Sequence, residues 1–243
     1  MAKLTSQPQS FPQGLFSEDT VKSASLGAKV STADGRTYRY CKAGATALVA
    51  GKVYDGPASV ANHKNVSVAS AAAVGASTIT VTLGATAATA NQYADGVIVI
   101  NDVDGQGFTY GIKSHPAADA SASLVVTLHA DETVQEALTT NSQASLVANR
   151  YNGVIIHAAT ETGVPVGVAI KDITAASYGW IQTGGPVSCL SDATVGTIGS
   201  SVAASETTDG ACTIGNGILA PIGYADQLMV STEYNPITLT IDS

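Results

Sequence analysis

Short runs in which apolar and polar residues alternate are the most regular feature of this 243-residue sequence. In residues 79–83 and 237–241, Ile, Val or Leu alternates with Thr, so each run has one apolar and one polar face. A period of two residues is typical of half-buried antiparallel strands. Further runs with strand chemistry predict strands at residues 37–41, 77–83, 96–101, 108–112, 124–128, 153–157, 164–170 and 178–183.

Turn signals separate these runs, and helix signals are rare. Asx-Gly pairs favour tight hairpin turns, because Asn, Asp and Gly adopt a positive φ at little cost. Residues 131–140 are the best helix candidate: Asp131 suits the N-cap, and Val134, Ala137 and Leu138 fall on one helical face. Strands punctuated by turns predict an all-β fold, an antiparallel β-barrel or sandwich-like domain, rather than a parallel sheet with crossover helices. The six pairs are Asp34-Gly35, Asp55-Gly56, Asp95-Gly96, Asp104-Gly105, Asn152-Gly153 and Asp209-Gly210.

Charged residues are scarce and unevenly distributed. They make up 12% of the chain, against about 25% in an average soluble domain. The net charge is −8, yet residues 1–52 carry seven of the eleven Lys and Arg residues. An acidic chain does not attract phosphate backbones, and no aliphatic run approaches the roughly 18 residues of a membrane span. We therefore expect no nucleic-acid partner and no membrane segment, and the N-terminus shows no secretory signal.

The N-terminal residues differ from the rest of the chain. Residues 1–27 contain Gln-Pro and Phe-Pro steps that interrupt helices and central strands, and their few apolar residues are isolated. Together with the excess of basic residues nearby, this composition predicts an extended arm that docks on an acidic surface. A solvated surface with a chance charge asymmetry is the alternative interpretation.

Sequence motifs for catalysis or metal binding are missing. There is no nucleophile elbow, no phosphate-binding loop and no histidine spacing that brings two imidazoles to one metal. Asp102 and Asp104 offer oxygen ligands to a hard cation such as Ca²⁺, but a hairpin turn explains them better. The three cysteines, Cys41, Cys189 and Cys212, form no CxxC motif and are expected to be reduced. We expect no enzyme activity, no cofactor and no metal.

The composition favours assembly with other chains. A surface of Ser, Thr, Ala, Gly, Asn and Gln loses little side-chain entropy when it is covered. Interface cores are also depleted in charge, and few lysines are present to block edge strands. We expect part of this surface to be covered by another chain.

Several stretches of the sequence resemble structural proteins of tailed bacteriophages. DGRTYRYCKAGATAL at residues 34–48 resembles their leading strand and turn, and residues 92–96 (QYADG) through 112–116 (IKSHP) resemble their central part. VPVGVA at 164–169, YGWIQTGGPV at 178–187 and PIGYA at 221–225 resemble the strand, Gly-Gly turn and closing strand of capsid decoration, or cement, proteins. These are patterns of strands and turns, not chemical signatures.

The resemblance implies a non-enzymatic virion protein, made in the host cytoplasm and bound to the outer capsid surface as a homotrimer. Its partner would be the phage major capsid protein, whose neighbouring subunits it would clamp. The arm residues expected to contact the capsid are Lys3, Phe11, Leu15 and Phe16. The residues expected to pack within or between protomers are Tyr178, Trp180, Gly184, Gly185 and Pro186.

The resemblance also suggests how the chain is divided. It implies an arm at 1–27, a discontinuous β-barrel-like domain from 28–72 and 151–243, and an inserted β-rich segment at 73–150 with one short helix.

Two other functions remain open. The chain could be another virion component, such as a tail or baseplate protein, or an extracellular carbohydrate-binding or adhesive module.

Overall fold

The structure of this protein is a computed structural model that describes residues 13–160, 162–194 and 197–242. In these ranges the chain forms sixteen strands and one short 3₁₀ helix, Ala61–His63, so the prediction of an all-β fold is confirmed. The strands are β1 (Lys29–Ser31), β2 (Thr37–Ala43), β3 (Val53–Asp55), β4 (Val66–Ser67), β5 (Thr78–Thr82), β6 (Val97–Asp102), β7 (Thr109–Ser114), β8 (Ser123–Leu128), β9 (Gln143–Val147), β10 (Asn152–Ile156), β11 (Pro165–Ala169), β12 (Tyr178–Leu190), β13 (Ser201–Ala204), β14 (Cys212–Ile214), β15 (Pro221–Ala225) and β16 (Tyr234–Thr240).

The chain divides into two compact units. The barrel unit contains the residues up to Gly56 and from Gly153 onward, and the inserted unit is Pro57–Asn152. The insertion begins earlier than the expected residue 73, because Val66 and Val68 pack in the core of the inserted unit. Residues 57–72 therefore belong with the insertion and not with the barrel.

The barrel unit is built around a closed sheet. Strands β2, β10, β3, β11 and β12 are neighbours in that order, and β12 also pairs with β2, which closes a five-stranded barrel. The first part of β12 pairs with β2, and its second part pairs with β16. The sheet then continues through β15 and β13 to β14. The pairing of β2 with β12 joins two parts of the chain that the insertion separates.

The inserted unit is a second, nearly closed sheet. Its strands lie in the order β4-β9-β6-β7-β8-β5, and a bridge between Val68 and Val81 brings β5 back beside β4. On β5 the predicted alternation is present, since Ile79 and Val81 are fully buried while Thr80 and Thr82 are half-buried. The apolar face of the strand thus points into the core of this unit.

The predicted helix at residues 131–140 is wrong. The structure has turns and bridges there, and the backbone of Val134 and Leu138 bonds with that of Ala76 and Ala72. Both apolar side chains are buried in the core of the inserted unit. Their spacing of four residues fits a helical face, but it also fits a loop that is anchored at two points. Backbone hydrogen bonds to Ala72 and Ala76 of the same chain hold these residues as a loop.

A chain of three buried rings lies in the inserted unit. The ring of Tyr93 lies 5.6 Å from that of His63 and 5.7 Å from that of His115, and its hydroxyl bonds with His63 Nδ1. His115 Nε2 accepts a hydrogen bond from the backbone N–H of Tyr93 at 2.9 Å, and Nδ1 donates to the carbonyl of Pro116 at 2.8 Å. These partners require a neutral imidazole at His115, because Nε2 acts as an acceptor.

We expect the inserted unit to lose stability as the pH falls from about 7 to about 5. Burial, aided by the nearby His63, lowers the pKa of His115 below its ordinary 6.5. The unfolded chain therefore binds a proton in this range more readily than the folded chain does.

Denaturant unfolding at the two pH values, together with hydrogen exchange of the inserted unit, measures the loss of stability. Between the two pH values, the His115→Gln variant should lose less stability than the wild type. The control variant His129→Gln should lose as much stability as the wild type. Equal losses in His115→Gln and the wild type would contradict the assignment.

Candidate functional site

An aromatic cluster lies where β2 pairs with β12. Tyr38, Tyr40 and Trp180 form one buried group, and Tyr40 is opposite Trp180 in the strand register. The Tyr40 ring lies edge-on to Trp180 at 5.1 Å and stacks on Tyr178 at 6.0 Å. The ammonium of Lys42 lies 5.6 Å from the centre of the Tyr178 ring. Residues two apart on a strand share a face, so these side chains form a continuous aromatic surface.

The N-terminal segment, defined here as residues 13–28, covers this aromatic surface. Leu15 and Leu26 pack against it. The Gln13 side chain donates to the carbonyl of Tyr178 at 3.0 Å and accepts from the Tyr40 hydroxyl at 3.0 Å. The indole N–H of Trp180 donates to the Gln13 carbonyl at 3.3 Å. Over these residues the prediction of an extended arm is wrong: the segment packs on its own barrel, because its isolated apolar residues meet an aromatic surface there.

The predicted capsid-contact residues have different positions. Lys3 and Phe11 lie outside the described residues. Leu15 packs against the aromatic cluster, whereas the Phe16 side chain is 64% exposed. Of the two described residues, Phe16 therefore offers the larger accessible apolar surface.

The predicted protomer-packing residues lie along β12. Trp180 and Gly184 are buried within the chain, Tyr178 and Gly185 are half-buried, and Pro186 is exposed. Gly185 has a φ of +79°, and a Cβ there would lie 3.1 Å from Arg36 Cα, so both the conformation and the close approach favour glycine. The side-chain amide of the buried Gln182 lies within hydrogen-bond distance of the carbonyls of residues 184, 185 and 186. Gly184 and Gly185 lie within the continuous strand β12, so the expected Gly-Gly turn is wrong, and Pro186 is an exposed residue in the middle of the same strand.

Phe16 and Pro186 meet at one cleft of about 330 Å³ in the barrel unit, which we call the docking cleft. Its wall also contains Tyr234, whose ring is half exposed, and the side chain of Arg36. The Tyr234 ring packs so closely on Gly51 that a Cβ there would lie 2.5 Å from it. Tyr234 carries no local sequence signal, because nothing in the neighbouring residues distinguishes it from the other tyrosines. The cleft combines exposed aromatic surface with few charges, which suits contact with another protein.

Buried polar groups in the barrel unit are structural. Asp55 and His157 are fully buried, and His157 Nδ1 lies 2.9 Å and 3.0 Å from the two carboxylate oxygens. His157 Nε2 lies 3.2 Å from the backbone carbonyl of Ser205, not from its hydroxyl. The Ser205 hydroxyl instead donates to Asp192. All three side chains are fully buried and His157 does not face the Ser205 hydroxyl, so Asp55, His157 and Ser205 do not have the geometry of a catalytic triad.

The three cysteines and the carboxylates of Asp102 and Asp104 pack within the fold or hydrogen-bond to other parts of it. The three cysteines are free and buried, and burial raises the pKa of Cys41 to about 12. Asp104 accepts a hydrogen bond from the Thr139 hydroxyl at 2.7 Å, and Asp102 Oδ1 accepts one from the backbone N–H of Val103 at 2.9 Å. Within the described ranges, no three His, Cys, Asp or Glu side chains are grouped so as to hold a metal ion. These two carboxylates therefore brace the turn between β6 and β7.

No helix in the part of the chain that the structure describes is long and apolar enough to cross a membrane. Comparison with known proteins finds no matching family model, no matching curated protein and no matching solved structure.

Proposed function

We propose that this chain is a non-enzymatic virion protein that binds the outer surface of a tailed-phage capsid. In this role it decorates the particle and stabilises contacts between major capsid subunits, acting as a homotrimer. Its activity is binding, and it needs no cofactor.

Two features support this proposal. Three of the stretches that resemble phage structural proteins form neighbouring strands of the barrel. Residues 37–43 lie in β2, which pairs with β12 (from the stretch at 178–187), and β12 pairs with β11 (from the stretch at 164–169). The barrel unit is also poor in charge beyond the leading segment, since residues 172–243 contain no Lys, Arg or His and only seven Asp and Glu. Such a surface loses little solvation energy when another protein covers it.

The docking cleft is the observation that carries the proposal. It brings together Phe16 of the N-terminal segment and Pro186 of β12, although 169 positions lie between them in the chain. Phe16 and Tyr234 leave 64% and 51% of their surface exposed, so both rings are accessible to a partner. A capsid surface that receives these two rings would remove this area from water.

We expect Phe16→Ser and Tyr234→Ser to reduce the amount of protein bound to capsids about tenfold each. Burying one such side chain contributes about 1.5–3 kcal/mol, and each factor of ten in affinity corresponds to about 1.4 kcal/mol. The measurement adds purified variants to particles from which the native protein has been removed. Bound and free protein are then separated by sedimentation and quantified.

Val125→Ser is the matched control for this experiment. Val125 is 43% exposed, lies on β8 in the inserted unit, and is not among the residues that line the docking cleft. This variant should bind like the wild type. If the two cleft variants also bind like the wild type, the docking cleft does not contact the capsid.

A further inference from the structure

The inserted unit has a cleft of its own, which we call the acidic cleft. It measures about 460 Å³ and is lined by aromatic and carboxylate side chains. Phe108 and Tyr110 form one wall, with nearly parallel rings at 8° and 6.1 Å between centroids. Asp131 and Glu132 lie on the opposite loop, together with Gln135. Phe108 is 36% exposed, so its ring remains available to a ligand.

Backbone contacts fix the loop that carries the carboxylates. Val134 is fully buried, and its N–H donates to the carbonyl of Ala76 at 2.9 Å. The N–H of Gln135 donates to the Tyr110 hydroxyl at 3.0 Å, which ties the loop to the aromatic wall. The acidic cleft is therefore held open before any ligand arrives, and pre-organisation of this kind reduces the entropy lost on binding.

Gly111 makes room for the carboxylate of Glu132. The Gly111 N–H donates to Glu132 Oε2 at 2.5 Å. A Cβ at position 111 would lie 3.0 Å from Glu132 Oε1 and 2.6 Å from the ring of His129. A Cβ there would push these two side chains aside. With glycine at position 111, the backbone N–H holds Oε2 of Glu132, and Glu132 remains part of the cleft lining.

The charged side chains that line the acidic cleft are Asp131 and Glu132. No Lys or Arg side chain is among the described residues that line it. Residues 57–152 contain seven Asp and Glu against three Lys and Arg. A carboxylate beside an aromatic face is the arrangement that proteins use for guanidinium and ammonium groups, through charge-assisted hydrogen bonds and cation–π contact.

We propose that the acidic cleft binds a cationic side chain, arginine or lysine, of a partner protein. The guanidinium or ammonium group pairs with Glu132 and Asp131, and its alkyl stem lies along the Phe108 ring. This site belongs to the inserted unit alone and is separate from the docking cleft. It therefore stands or falls independently of the proposed capsid binding.

Titration of the full chain with acetyl-Gly-Arg-Gly-amide, followed by NMR, tests the proposal. The backbone amide signals of Phe108, Gly111 and Glu132 should shift and saturate. The matched peptide with citrulline has the same shape without the charge, and it should bind at least tenfold more weakly, as loss of a charged hydrogen bond implies. Added salt should weaken the binding of the arginine peptide and have little effect on the binding of the citrulline peptide.

Two variants distinguish binding at the acidic cleft from a non-specific attraction between the peptide and an acidic protein. Glu132→Gln keeps an oxygen for the Gly111 N–H and removes the charge. This variant should bind the arginine peptide with about tenfold lower affinity. Glu136→Gln makes the same change on the same loop but outside the lining, and it should leave binding unchanged. Equal binding of the two peptides, equal effects of the two variants, or shifts of the same signals by methyl glucoside in place of the arginine peptide would overturn the proposal.

Discussion

Trp180→Ala is expected to reduce the free energy of unfolding of the barrel unit by about 3–5 kcal/mol, the usual range for truncating a buried aromatic side chain. Trp180 is 1% exposed, packs edge-on against Tyr40 and donates its indole N–H to the Gln13 carbonyl. Its loss leaves a cavity under the N-terminal segment and removes one of the contacts that hold this segment. The segment should therefore detach more readily than the barrel strands unfold.

Two measurements check this prediction. Denaturant unfolding followed by far-UV circular dichroism gives the loss of stability, and hydrogen exchange shows whether residues 13–28 lose protection first. Trp180→Phe keeps a ring but loses the N–H donor, so its loss should be smaller than that of Trp180→Ala. If Trp180→Ala leaves the protection of the N-terminal segment unchanged, the aromatic surface is not what holds the segment.

Asp55→Ala is expected to have a similarly large effect, about 3–5 kcal/mol, because it breaks a buried charge pair. In the wild type both ring nitrogens of His157 face acceptors, the Asp55 carboxylate and the Ser205 carbonyl. That arrangement suits a protonated ring, which needs the carboxylate as its counter-charge. Without Asp55, His157 must either stay charged in an apolar environment or lose its proton and one of its hydrogen bonds.

A double-mutant cycle distinguishes this pairing from simple loss of packing. Unfolding free energies are measured for Asp55→Ala, His157→Ala and the double variant at neutral pH. The double variant should lose clearly less stability than the two single losses added together, because it contains no unpaired buried charge. Additive losses would show that the two side chains contribute independently and that the ion pair is not what stabilises the junction of β3 and β10.

The sequence predicted the strands that alternate clearly, and it missed those that depend on their neighbours. β5, with Ile79 and Val81 on one face, is an example of a predicted strand. The run at 178–183 marks only the start of β12, which extends to Leu190 because β16 pairs with its second half. β4 and β14, with two and three residues, are too short to show a period. Residues 131–140 fit a helical spacing locally, but pairing with residues 72–76 determines their structure.

The clefts were less accessible to sequence analysis than the fold. Phe16 and Pro186 were candidates for separate reasons, and only the closed barrel brings them to one cleft. Tyr234 gave no signal, because its exposure depends on how β16 packs over Gly51. The N-terminal segment was predicted to be an extended arm that docks on an acidic surface. The aromatic surface that receives residues 13–28 could not be foreseen, because it is assembled from two distant strands. Chemistry that depends on tertiary contacts of this kind leaves no local pattern.

The most direct test of the central claim is the number of copies of this chain on virus particles. Gradient-purified particles from the native source are analysed by quantitative mass spectrometry, relative to the major capsid protein. A capsid decoration protein should be present at near-equal abundance to the major capsid protein. A few copies per particle would contradict decoration and indicate a tail or baseplate component, and absence from particles would contradict any virion role.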